Sequence, residues 1–298
     1  MNSLFKYFLL ATAIFLFGCG ASKRVEELNR EGKLAFVNSD YQNALIAYEE
    51  LINLQKSTGK EVDGSYYNFA GLAAWEVKDY RKTIDYLEIA KQKPAKNSKT
   101  LFTLAKTYHE IDNLSKEINN LEEYLAEYSA GEEVNQVKSQ LFTAYVLSQN
   151  WELASKIWPE LDSEVQNDKL FLTNYLIVNR KLGNEDQSEK IAAQLLKMDK
   201  NSVDALEVLA EKYFWLAEKN YQKEMEAYEK NKTNKQYSHL LKALEIINSN
   251  FKTSRDYFER LYKIDPKPRY ATFLGNIYTR FDNKEKADFY YRKAKENK

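Results

Sequence analysis

Residues 67–83 read YNFAGLAAWEVKDYRKT, and this stretch carries the pattern that decides the fold. The small residue Gly71 is followed three positions later by Ala74, then by the turn Asp79-Tyr80 and a second small residue, Thr83. Copies of this pattern recur along the chain with a period of about 34 residues. A unit of this size predicts two helices joined by a turn. Such a hairpin cannot bury its own apolar face, so it must stack on its neighbours.

Small residues recur at two positions of the pattern. They are Gly32, Gly71, Ala105, Ala210 and Gly275 in the first helix, and Ala44, Thr83, Ala154, Ser188, Ser254 and Ala287 in the second. We expect the two helices of each hairpin to cross there, because a long side chain would force them apart. The turn position carries Tyr41, Tyr80, Leu114, Trp151 and Phe251, which follow Asp40, Asp79, Asn113, Asn150 and Asn250. Side chains of Asp and Asn can cap the helix that follows.

These positions resemble the tetratricopeptide repeat family, with five or six copies in phase between Glu26 and Lys298. The resemblance implies an all-α fold, a right-handed α-solenoid of stacked helical hairpins over residues 25–298. The fixed period argues against an irregular helical bundle. Phe142 and Leu176 stand at the small position of the first helix, and Glu117 at that of the second. We therefore expect those hairpins to open or tilt.

The region from Val203 to Lys263 departs from the period, because its first-helix and second-helix positions lie roughly one repeat too far apart. A hidden extra repeat with a turn at Asn250-Phe251 is one interpretation. The other is one elongated hairpin over about 203–263, with its tip at the polar stretch 231–235. The apolar positions keep a helical period without Gly or Pro inside either half, which favours the elongated hairpin.

The N-terminus predicts a lipid anchor. Tyr7 to Phe17 is a largely apolar run, too short for a bilayer, which takes about 20 residues, but typical of a signal peptide. The sequence Leu16-Phe17-Gly18-Cys19 resembles the lipobox of bacterial lipoproteins. This resemblance implies a signal peptide at residues 1–18, a lipidated tether at 19–24 with acylated Cys19 as the new N-terminus, and attachment to the bacterial cell envelope. Gly20, and not Asp, follows the cysteine, and by the sorting rule known for lipoproteins of enteric bacteria this favours the outer membrane.

Composition and motifs exclude several classes of function. Lys+Arg and Asp+Glu both number 44, which argues against a nucleic-acid partner. The chain has two histidines, His109 and His239, and neither lies in a sequence with metal-ligand spacing. No phosphate-binding loop or nucleophile motif occurs. We therefore predict no enzymatic activity, no catalytic or metal-binding residue, no cofactor and no small-molecule substrate.

The resemblance also implies a groove lined by the first helices of the hairpins, which receives a peptide or a helix of a partner protein. The corresponding residues here are Phe36, Asn68, Leu72, Trp75, Phe102, Lys106, His109, Arg180, Lys181, Phe214 and Trp215. Aromatic anchors with neighbouring basic groups suit apolar side chains and carboxylates. The alternative is that the aromatic residues pack against the adjacent repeat. No carboxylate-clamp pattern of Lys and Asn recurs across three repeats.

Three functions remain open. The first is a membrane-anchored scaffold that holds other proteins of the cell envelope. The second is a component of an outer-membrane assembly machine or of a secretion or gliding machine. The third is an envelope hydrolase or an activator of one, for example in peptidoglycan metabolism.

The anchor predicts a testable result. Replacing Cys19 by Ser removes the thiol that receives the lipid, so the protein should leave the membrane pellet when envelopes are fractionated. If the Cys19→Ser protein is processed and sediments with membranes as the parent does, the lipid is not the anchor.

Overall fold

The computed structural model describes residues 22–296, and every regular element in that range is helical. The helices are α1 (22–37), α2 (Tyr41–Ser57), α3 (Gly64–Glu76), α4 (Tyr80–Lys91), α5 (Ser98–Glu110), α6 (Leu114–Glu127), α7 (Val134–Leu147), α8 (Trp151–Ile157), α9 (Ser163–Gln166), α10 (Lys169–Lys181), α11 (Glu185–Met198), α12 (Val203–Lys230), α13 (Asn234–Ile264), α14 (Pro268–Arg280) and α15 (Lys284–Glu296). A 3-10 turn, Trp158–Glu160, follows α8. The chain divides between Ser148 and Gln149 into two compact units, called here the N-terminal and the C-terminal unit.

Each unit is a stack of helical hairpins. In the N-terminal unit one core cluster joins Leu28 of α1, Tyr48 and Leu51 of α2 and Ala70 of α3. In the C-terminal unit α10 packs on α11, α12 on α13 and α14 on α15, and α13 also packs on α14. The core there continues from Leu206 of α12 through to Ala287 of α15. Because these cores run across hairpin boundaries, the predicted all-α fold of stacked hairpins is confirmed.

The turns inside the hairpins share one backbone geometry. The residue before the Asp or Asn that begins the second helix has a left-handed backbone conformation. Its φ lies between 54° and 61° at Ser39, Lys78, Asp112, Gln149 and Asp282. Asp40, Asp79 and Asn113 then accept a hydrogen bond from the backbone N–H three residues on, as predicted. Asn150 makes no such side-chain bond.

Glycine at the crossing is required by the distance between the helices. A Cβ added at Gly71 would lie 2.5 Å from Leu87 Cδ2, and one at Gly275 would lie 2.6 Å from Tyr291 Cε1. In each of these two hairpins the second helix has its own small residue, Thr83 or Ala287. The large residue, Leu87 or Tyr291, stands four positions after it. The first helix therefore supplies a gap and the second helix fills it.

The α10–α11 hairpin, which has a large residue at this position, reverses the exchange. Leu176 of α10 stands where the hairpins of Gly71 and Gly275 have Gly, while Ala192 of α11 stands where they have Leu87 and Tyr291. Both side chains are fully buried. The predicted opening of this hairpin is therefore wrong, because the two helices exchange large for small and keep the space filled. Phe142 of α7 is also fully buried, but α7 and α8 belong to different units, so the prediction for that hairpin stays a prediction.

Neighbouring hairpins are linked by a repeated hydrogen bond. A tyrosine three residues after the crossing position donates to a glutamate on the second helix of the preceding hairpin. Tyr108 donates to Glu88 at 2.7 Å, Tyr145 to Glu122 at 2.7 Å, and Tyr278 to Glu259. Burial, followed by the neighbouring carboxylate, raises the pKa of all three tyrosine hydroxyls. They remain protonated donors at neutral pH.

The long hairpin of the C-terminal unit is formed by α12 and α13, of 28 and 31 residues. At about 1.5 Å per residue, each helix is about 40–45 Å long. The tip is the turn 231–233, and Thr233 caps α13 by accepting from Gln236 N at 3.2 Å. Asn250 and Phe251 lie inside α13, so the elongated hairpin is confirmed and the extra repeat with a turn there is wrong.

The base of this hairpin keeps the crossing of an ordinary repeat. Ser254 of α13 is fully buried and its hydroxyl donates to the carbonyl of Ala210 on α12 at 2.8 Å. These are the two small positions identified in the sequence. The chain between them extends the hairpin past its crossing, because the apolar positions continue to a tip without a helix breaker.

The predicted signal peptide and Cys19 lie outside the described residues. Among residues 22–296, no helix combines the length and the apolar character needed to cross a bilayer.

The crossing predicts a specific energetic coupling. Gly71→Val should lower the free energy of unfolding by about 1–3 kcal/mol, because its methyl groups overlap Leu87. Leu87→Ala should cost about 2–5 kcal/mol by leaving a cavity. In the double variant the added valine occupies part of that cavity, so the loss should be at least about 1 kcal/mol smaller than the sum. Urea denaturation followed by circular dichroism measures all three, and additive losses would show that the two residues do not meet.

Candidate functional site

The first-helix face of the N-terminal unit brings together a cation and two aromatic rings. Trp75 lies on α3, and Phe102 and Lys106 lie one helical turn apart on α5. The two helices are locked in register by the Thr100 hydroxyl, which donates to the buried Asn68 Oδ1 at 2.7 Å. A capping box between Asn97 and Thr100 begins α5. The site is therefore held by two ordered helices.

Lys106 is bound by rings instead of carboxylates. Its Nζ lies 4.9 Å from the ring centroid of Trp75 and 4.9 Å from that of Phe102. Within residues 22–296 no carboxylate lies within ion-pair distance of this ammonium group. Burial lowers the pKa of Lys106, since the charged form loses hydration that the rings only partly replace. Glu76 and Glu133 act on this cation only from beyond ion-pair distance, so a carboxylate from another molecule in direct contact would stabilise it further.

A buried carboxylate contacts His109, which stands one helical turn after Lys106 on α5. Glu117 of α6 is 3% exposed, although the repeat pattern calls for a small residue there. It accepts from Gln140 Nε2 at 2.7 Å, and it lies 3.2 Å from Nδ1 of His109. These partners satisfy the carboxylate, so α5 and α6 pack together despite the large residue. His109 is exposed and its ring lies over this buried group.

The predicted groove residues of the N-terminal unit differ in exposure. Asn68 and Phe102 are buried, at 6% and 7% exposure, so they pack the free protein and are not exposed anchors. Leu72 is half-buried against the cluster of Leu87, Leu104 and Tyr108. Phe36 lies apart from the Lys106 site and packs edge-on against Phe69 and Tyr41. Trp75, Lys106 and His109 remain accessible.

The C-terminal unit has an open groove of about 540 Å³ between the α10–α11 turn and α12. Arg180 and Trp215 line this groove, whereas Lys181 and Phe214 do not. Trp215 is 57% exposed, while Phe214 is 4% exposed and packs edge-on against Phe273, so Phe214 is not an exposed anchor.

Most of the residues that line this groove were not predicted from the sequence. Lys212 pairs with Glu189 across it, and Glu211 lies beside Arg269. Burial raises the pKa of Glu211. The signal was present in the helical spacing of one α12 face, which carries Val208, Glu211, Lys212, Trp215, Leu216 and Lys219.

Among residues 22–296, no group of three or more His, Cys, Asp or Glu side chains could hold a metal ion. The two histidines each face a single glutamate, His109 at Glu117 and His239 at Glu224. Neither lies beside a nucleophile in these contacts.

No protein-family model and no curated protein matches the chain. Among solved structures it is similar to a tetratricopeptide repeat protein of Parabacteroides merdae (16% identity, 92% of this chain and 93% of that chain, TM-score 0.45). It is also similar to the C-terminal part of a repeat-containing protein of Cytophaga hutchinsonii (14%, 90% and 94%, TM-score 0.47). A third is YrrB, described as having an unusual peptide-binding site (14%, 63% and 96%, TM-score 0.47). With TM-scores below 0.5, the assignment of the fold rests on the helices of this chain itself.

The exposure of the two aromatic residues predicts different costs of truncation. Phe102→Ala empties a buried site and should lower the free energy of unfolding by about 3–5 kcal/mol. Trp75→Ala removes a half-buried side chain and should cost about 1–2 kcal/mol, within the usual range of single substitutions. Urea denaturation of the two variants measures the difference. Equal losses would mean that Trp75 is as much a part of the core as Phe102.

Proposed function

We propose that this chain is a membrane-anchored scaffold for protein–protein interaction in the bacterial cell envelope. The proposal has two parts, a first-helix face that binds a segment of another protein and an N-terminal lipid that holds the chain at a membrane.

The single observation that supports binding is the state of Lys106. This ammonium group is half-buried, lies over Trp75 and Phe102, and has no carboxylate within ion-pair distance among the described residues. Leaving a cation in this state costs free energy in the free protein. A partner that places a carboxylate on Lys106 and an apolar side chain on Trp75 recovers that cost. A segment of a polypeptide supplies both groups.

The anchor rests on the sequence alone. Cys19 at the end of the lipobox-like stretch would carry the acyl chains, and each buried methylene group contributes about 0.8 kcal/mol to membrane attachment. Gly20 favours the outer membrane. A scaffold tethered in this way holds its partner close to the bilayer, which raises the effective concentration of that partner there.

The experiment places a photo-crosslinking amino acid at Lys99, an exposed position of α5 two helical turns before Lys106, in the full-length lipidated protein in cells. We expect crosslinks to a partner protein. Lys106→Met should lower their yield about tenfold, the scale of losing one hydrogen bond to a charged group. The same substitution should leave the free energy of unfolding unchanged or higher, because it removes a charge that is poorly hydrated.

Lys116→Met is the matched control, since Lys116 is exposed on α6. The control should keep the full yield of crosslinks. If Lys106→Met also keeps it, the first-helix face does not bind through this cation, and the proposed function loses its support.

A further inference from the structure

One face of α13 forms a continuous surface from the tip of the long hairpin to its base. Tyr237, Leu241, Glu245, Asn248, Lys252 and Arg255 follow one another at helical spacing on this face, which we name the outer strip. From Tyr237 to Arg255 it is about 27 Å long, at about 1.5 Å per residue. Tyr237 and Leu241 are 49% and 47% exposed. The tip end of the strip is therefore apolar.

Little of the hairpin's tip half is buried. Within residues 222–247, only Leu240 and Ile247 are buried. The contacts that hold this half join α12 to α13, for example the ring pair Tyr228–Tyr237 at 5.8 Å and His239 Nδ1 at 3.1 Å from Glu224. The hairpin therefore leaves Tyr237 and Leu241 uncovered. They lie in the tip half, which an ordinary repeat does not have.

The base end of the strip is basic. There α13 and the α14–α15 turn enclose an open groove of about 610 Å³. Its lining residues include four cations and one carboxylate: Lys252, Arg255, Arg280, Lys286 and Asp282. With Asp256 and Glu218, which pair with two of these cations from outside the lining, the local excess of positive charge is small and rests on Lys252 and Lys286.

Two of these four cations are already neutralised within the protein. Arg255 pairs with Asp256 at 2.6 Å, and Arg280 pairs with Glu218 at 2.5 Å. Lys286 Nζ instead lies 3.1 Å from the Tyr278 hydroxyl and 4.8 Å from the centroid of its ring. Neither Lys252 nor Lys286 has an ion-pair partner among residues 22–296. Their two ammonium groups are therefore available to carboxylates from outside.

We propose that the outer strip binds an acidic segment of a partner polypeptide. Apolar side chains of the segment contact Tyr237 and Leu241, and its carboxylates enter the groove at Lys252 and Lys286. The proposal rests on the proposed function in that the partner is a protein, but it assigns a second surface, in the C-terminal unit.

The shape and charge of the strip favour a polypeptide over other anionic partners. A flat bilayer would meet the exposed tip, whereas the cations of the strip lie in a groove at the base. A duplex nucleic acid needs a wide basic surface, while this groove contains Asp282 and the strip contains the exposed Glu245. A peptide is narrow enough to follow the strip and enter the groove.

The test uses the full mature chain and a fluorescein-labelled peptide of about 18 residues, which matches the strip when helical. The peptide carries leucines in one half and glutamates in the other. Fluorescence anisotropy should show about tenfold tighter binding than for the same peptide with glutamines, a difference that shrinks as salt is added. Lys252→Glu/Lys286→Glu should abolish this preference and create one for the peptide with lysines. Equal binding of the glutamate and glutamine peptides overturns the proposal.

Lys235→Glu/Lys242→Glu is the matched control, because it makes the same charge change at exposed positions on the other side of α13. It should leave the affinity unchanged, and an equal loss in this variant would mean that only overall charge matters. Tighter binding to phosphatidylglycerol vesicles or duplex DNA, or dimerisation that blocks the peptide, would also overturn the proposal. Lys106→Met should leave peptide binding unchanged. If the peptide test fails while the Lys106-dependent crosslinks persist, only the inference about the outer strip is rejected.

Discussion

The close approach of two helices at one small residue is the constraint on which the rest of this structure depends. At Gly71 and Gly275 the opposing side chains, Leu87 and Tyr291, occupy the space where a Cβ would stand. This approach fixes the register of each hairpin, and a fixed register presents the same apolar face to the next hairpin every time. The tyrosine–glutamate bonds between hairpins follow from it, since each tyrosine stands one turn after the crossing.

The long hairpin shows how the same constraint allows an extension. Ser254 meets Ala210 at the base as an ordinary repeat requires, so the neighbouring helices α11 and α14 pack on a normal hairpin. Beyond the crossing nothing limits helix length except the apolar pattern between α12 and α13, which continues to the tip. The extension adds surface without disturbing the stack. Its exposed Tyr237 and Leu241 add little to stability, which is consistent with a role in binding.

Charges in this protein are balanced overall but not at each site. Many of the acidic groups have a lysine, an arginine or a tyrosine hydroxyl as a partner in the structure. Of the described lysines that lie over an aromatic ring without a carboxylate within ion-pair distance, Lys106 and Lys286 lie closest to the ring centroid, at 4.9 Å and 4.8 Å, against 5.6 Å for Lys56. An aromatic ring stabilises a cation by less than a buried carboxylate can. Cations left in this state mark the two surfaces proposed here for acidic partners, one in each unit.

The sequence by itself determined the all-α fold, the crossing residues such as Gly71 and the capped turns at Asp40 and Asp79, and it favoured the long hairpin over an extra repeat. These are local properties, set by helical period, residue size and backbone geometry within one repeat. Only the tertiary structure decided which groove residues are exposed. Phe102 and Phe214 are buried while Trp75 and Trp215 are accessible, because the neighbouring hairpin covers some positions of a helix face and leaves others open. It also decided that Glu117 could replace a small residue, since its partners His109 and Gln140 come from different helices. The period of a repeat defines a face, but the packing of the next repeat decides what remains of that face for a partner.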